Sequence, residues 1–102
     1  MVNGGISQTT SANTPSIASS TTALAANTGR LGFSIQNVGT NAIFVLLGVG
    51  ASSTVFHTVL KAGTGNSDGT GGSYSMESGV VYTGPVTIAG TSPLYTVTEL
   101  AP

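Results

Sequence analysis

Arg30-Leu31-Gly32-Phe33-Ser34-Ile35-Gln36-Asn37 alternates apolar and small or polar residues without a break. Leu31, Phe33 and Ile35 fall at every second position, the repeat of a strand with one face on a core and the other in polar surroundings. Val38-Gly39-Thr40-Asn41 supplies a reversal, with Gly39 free to take a positive φ. Ala42 to Val49 then places Ile43, Val45 and Leu47 on one face and Phe44 and Leu46 on the other. A run apolar on both faces predicts a central strand, covered by the core on one side and by something else on the other.

The same period extends through the rest of the chain. Val55 to Lys61 reads as a strand with Phe56 and Leu60 opposite Val55, His57 and Val59. Ser73 to Glu77, Val80 to Thr83, Pro85 to Ala89 and Leu94 to Leu100 read as further short strands, separated by Gly79, Gly84-Pro85 and Ala89-Gly90-Thr91-Ser92-Pro93. Ala62 to Gly72 holds five glycines and an Asp68-Gly69 turn signal, and reads as a flexible hairpin tip. Regularly spaced short strands with no helical period predict an all-β fold, an antiparallel β-sandwich or jelly-roll-like barrel, with Ig-like and small-barrel topologies equally open.

Residues 1–28 differ in kind. They carry no charge, are rich in Ser, Thr, Asn and Ala, and space their apolar residues too widely for a helical stripe. Such a segment buries too little surface to fold by itself. The expected organisation is therefore an extended N-terminal arm over 1–28 and a β-sandwich domain over 29–102. Ser16 to Ala26 is a candidate edge strand within the arm. The arm's apolar residues Val2, Ile6, Ile17 and Leu24, with Phe44 and Leu46 of the two-faced strand, are the candidate partner contacts.

Charge narrows the function classes sharply. Arg30, Lys61, Asp68, Glu77 and Glu99 make up 5% of the 102 residues, beside a 39% hydrophobic share, so the surface must be covered largely by neutral groups. The net charge of −1 offers little repulsion between copies. Two cations are too few for a nucleic-acid surface, where each neutralised phosphate needs its own. The longest apolar run, Ala42 to Val49, is far short of the ~20 residues that span a bilayer, so no membrane partner is expected. Met1 to Gly5 shows no basic segment followed by an apolar one, which leaves synthesis in a cytoplasm as the expectation.

The stock of reactive groups is equally small. With no cysteine and one histidine, His57 is the sole candidate general base, and serines are so common that a Ser–His–acid set would arise by chance. No Gly-x-Ser-x-Gly elbow occurs. Gly63-x-Gly65 lacks the Lys-Ser/Thr of a phosphate loop, and Asn66-Ser67-Asp68-Gly69 offers one carboxylate where a calcium ion wants six to eight oxygens. No catalytic activity, metal or cofactor is expected. Tyr74, Tyr82, Tyr95, Phe33, Phe44 and Phe56 sit in alternating strands, as core or subunit contacts do.

Phe33 to Asn41 running into Phe44-Val45-Leu46-Leu47-Gly48, Leu60 to Gly65 with Asp68 to Gly72, and Tyr82 to Val86 through Ala89 to Pro93 resemble small tailed-phage virion proteins. These are turn and strand signatures. The resemblance implies a β-sandwich structural protein of the capsid decoration (cement) type, a homotrimer on the outer capsid surface that bridges major capsid protein subunits. It implies a virion location and no cofactor. The alternative is a virion binding module, such as a head fibre, tail or neck component, that recognises a host glycan or receptor through loops such as Ala62 to Gly72.

Overall fold

The computed structural model describes residues 5–11, 21–76 and 81–101. They form eight strands: β1 (Gly5–Ser11), β2 (Thr21–Leu24), β3 (Gly32–Asn37), β4 (Ile43–Leu47), β5 (Thr58–Leu60), β6 (Ser73–Met76), β7 (Val86–Ala89) and β8 (Tyr95–Ala101). Two four-stranded sheets result, ordered β1-β8-β3-β6 and β2-β7-β4-β5, and every strand pairing is antiparallel. The pairs β4–β5, β3–β6, β2–β7 and β1–β8 are successive rungs of one long hairpin, and consecutive rungs alternate between sheets. A hairpin rolled up in this way is a jelly roll.

Alternation builds the core. Phe33 and Ile35 of β3, Ile43 and Val45 of β4, Val86 and Ile88 of β7, and Tyr95 and Val97 of β8 meet between the sheets with Leu24 and Leu60. Phe44 and Leu46 point away from that layer, as expected for a strand apolar on both faces, and β4 lies inside its sheet between β7 and β5. Tyr74 packs at the rim, its ring 6.1 Å from that of Phe33.

The boundary expected at residue 28 does not divide the fold. Gly5–Ser11 pairs along its whole length with β8, and Thr21–Leu24, inside the expected edge strand, pairs with β7. The N-terminal segment thus supplies one edge of each sheet, where main-chain hydrogen bonds substitute for the apolar stripe it lacks. Leu24 is 7% exposed and belongs to the core, so it is not a partner contact. Ile6 lies in β1 opposite Leu100, while Val2 and Ile17 fall outside the described residues.

Three further expectations change. Leu31 is exposed, because β3 begins one residue later and Leu31 stands beyond the edge of the core. Val55, Phe56 and His57 precede β5, because Ser52 and Val55 bond each other's main chain in a turn that the Ser52 hydroxyl reinforces. Val81 to Thr83 form no strand. Their carbonyls serve other donors: Thr83 accepts from the Asn27 amide, and Tyr82 from the Arg30 guanidinium.

The glycine-rich stretch is a crossover between sheets, from β5 to β6, and it is pinned. Gly63 N–H donates to the Gly39 carbonyl at 2.8 Å, and Ser67 N–H to that of Val38 at 2.6 Å. A β-carbon on Gly71 would overlap the main-chain carbonyl of Asn37, so close backbone approach explains that glycine.

Candidate interaction surface

The outward face of the β2-β7-β4-β5 sheet carries the main apolar exposure near β4 and β5. Phe44 and Val59 lie directly across from each other on β4 and β5. Phe56, delivered by the turn before β5, sets its ring 5.0 Å from that of Phe44 at 51°. Val55, Phe56 and Val59 are 50%, 39% and 44% exposed, which is unusual for three apolar side chains so close in sequence. Leu46 is half-buried, opposite Thr87.

Residues 48–51 cover β7 on that face. Thr87 is buried on the outer side of β7; its hydroxyl donates to the Gly48 carbonyl at 2.7 Å and accepts from the Ala51 amide at 3.3 Å. Ala51 is buried there, so the segment lies flat over the sheet. The chain beyond it is fixed by His57, whose Nδ1 accepts the Leu47 N–H at 3.0 Å and whose own N–H donates to Val45. The Nδ1 bond ties the ring to the end of β4. His57 here holds main chain in place. Among the described residues, no three His, Asp or Glu side chains gather as a metal site.

Of the two cations, one is internal and the other, Lys61, follows β5 two residues after Val59. Arg30 is buried and bonded to Glu99 at 2.8 Å, so its cation is neutralised inside the domain and Lys61 is the remaining one. Asp68 sits in the crossover, accepting from the Thr64 hydroxyl and from the Thr70 amide and hydroxyl. The Thr70 and Thr64 bonds hold its carboxyl below the ordinary value of 3.8. A lowered value means that the contribution of these bonds is fully present above 3.8 and is lost as pH falls through the lower folded value. The amide resonances of Thr64 and Thr70 should therefore hold steady at neutral pH and move together only in strong acid; movement near neutrality would contradict the arrangement.

The structure thus brings together Phe44 and Leu46 of the expected contacts and separates them from Leu24. It adds Phe56 and Val59, which the alternating pattern placed on opposite faces of one strand. The Ser52-Ser53 pair ahead of Val55 was the available signal of a turn there. No protein-family model, curated protein or solved structure matches this chain.

Proposed function

We propose that the protein is a structural component of a tailed-phage virion, a capsid decoration (cement) protein that binds the outer surface of the head. It bridges major capsid protein subunits as a homotrimer and has no catalytic role. The observation that carries this reading is the neutral, apolar face built from Phe44, Val55, Phe56 and Val59 on a sheet-rich body. A contact of this kind gains from desolvating aromatic and aliphatic groups and meets no charge that would have to be buried unpaired. The turn and strand signatures shared with small virion proteins support the same reading. So does the low net charge, which lets copies crowd on a shell with little repulsion. Weak single contacts multiplied over a symmetric oligomer combine through effective concentration.

The test is sedimentation of the protein with heads that lack it. Phe56→Asp with Val59→Asp places charge at the centre of the face; it removes the ring contact with Phe44 and should lower the thermal transition modestly while leaving the domain folded. Attachment should weaken by about thirtyfold or more, the loss of a hot-spot contact. Undiminished attachment of a folded double variant would reject this face as the docking surface.

A further inference from the structure

At the end of the same sheet, the start of β4, the turn after β7 and residue 53, just past the overlying segment, enclose a cleft of about 330 Å³. It is lined by Asn41, Ala42, Phe44, Ser53, Gly90 and Thr91. We propose that this cleft binds a neutral hexose unit of a glycan. The loop expected to recognise such a ligand, Ala62 to Gly72, takes no part in it.

The chemistry of the lining selects the guest. None of its side chains ionises, so neither an anion nor a cation would find a counter-charge there. The Asn41 amide and the Ser53 and Thr91 hydroxyls are exposed and make no hydrogen bond to the described residues. By contrast, Asn37, Ser52, Thr64, Thr70 and Thr87 all spend their side-chain groups inside the protein. Three uncommitted groups that both donate and accept match the hydroxyls of a sugar ring. Phe44 offers an apolar wall for the ring's C–H face. An apolar side chain from a protein partner would fill the same space but leave those three groups desolvated without partners, which disfavours it.

The walls are preformed. Phe44 and Ala89 face each other in the ladder, which fixes the start of β4 against the end of β7. A β-carbon on Gly90 would come within 2.8 Å of the Ala42 carbonyl, so a glycine is needed for the walls to stand this close. The volume lies at the lower end of the roughly 300–1,000 Å³ typical of ligand sites and suits one ring, not an oligosaccharide. Affinity for a free monosaccharide is accordingly in the millimolar range.

The test is titration of the isotope-labelled full chain with glucose, galactose, N-acetylglucosamine and N-acetylgalactosamine, followed by NMR. At least one sugar should give saturable shifts centred on Asn41, Ser53, Gly90 and Thr91. Thr91→Val and Asn41→Ala should each weaken that binding by about tenfold, the effect of leaving a ligand hydroxyl unpaired. Phe44 belongs to both the cleft and the docking face, so the two are separated at residues only the cleft uses: Thr91→Val should attach to heads normally while losing sugar affinity. Absence of saturable shifts with every sugar up to its solubility limit, shifts centred elsewhere, or unchanged affinity in both cleft variants would overturn the assignment.

Discussion

Arg30→Ala should cost about 3–5 kcal/mol of folding stability, the range for removing one member of a buried ion pair. For a domain of this size that corresponds to a fall of roughly 12–40 °C in the thermal midpoint. The Arg30 side chain is fully buried and that of Glu99 is 15% exposed. Its Nε donates to Glu99 at 2.8 Å, Nη1 to the carbonyls of Tyr82 and Gly84 at 2.8 and 2.9 Å, and Nη2 to that of Ala25 at 2.6 Å. Its guanidinium also stands 5.6 Å from the centre of the Phe33 ring. One side chain therefore ties the β2–β3 connection, the segment before β7 and strand β8 together. Truncation strands a carboxylate and three carbonyls at once. Urea denaturation should show a lower midpoint at unchanged slope. The double variant Arg30→Met with Glu99→Leu should recover part of the loss, since no unpaired charge remains. A deficit under about 1 kcal/mol, the value of an ordinary surface pair, would show that the network contributes little.

Asn37→Asp is expected to be nearly as damaging, at about 3 kcal/mol near neutral pH, although it changes a single group. Asn37 is fully buried. Its amide nitrogen donates to the carbonyls of Asn41 and Leu60 at 2.7 and 3.2 Å, and its amide oxygen accepts from Gly39 N–H at 2.9 Å. The side chain thereby closes the β3–β4 turn and clamps it to the end of β5. A carboxylate keeps the Gly39 bond but turns negative charge on two carbonyl oxygens. Acidification, which protonates the new carboxyl and gives it one O–H to donate, should return part of the loss. Asn37→Ala removes all three bonds without adding charge, so its deficit should not vary with pH in this way. Equal pH profiles for the two variants would contradict the assigned amide orientation.

How far the fold can be read from the chain depends on how local each cause is. Phe33 and Ile35, and Ile43 and Val45, announce their strands because alternation is a property of neighbouring residues. β1 does not, since Gly5-Ile6-Ser7-Gln8-Thr9-Thr10-Ser11 holds one sizeable apolar residue and is defined by the partner strand it meets. Local sequence does not pair Arg30, because the residue that neutralises it is 69 positions away. Phe56 was assigned to a strand because local alternation cannot reveal a turn held by the Ser52 hydroxyl. The cleft was invisible for the same reason, since Asn41, Ser53 and Thr91 are brought together by sheet order alone.

The rolled hairpin puts β8, the last of the described strands, between β1 and β3 in the middle of its sheet. During vectorial synthesis the earlier strands of that sheet must wait, incomplete, until Tyr95–Ala101 clears the ribosome. Glu99, the carboxylate that receives the Arg30 side chain, arrives with it. Closure thus depends on joining Gly5–Ser11 to Tyr95–Ala101, segments far apart in the sequence, a topology that places folding in the millisecond-to-second range rather than among the microsecond folders.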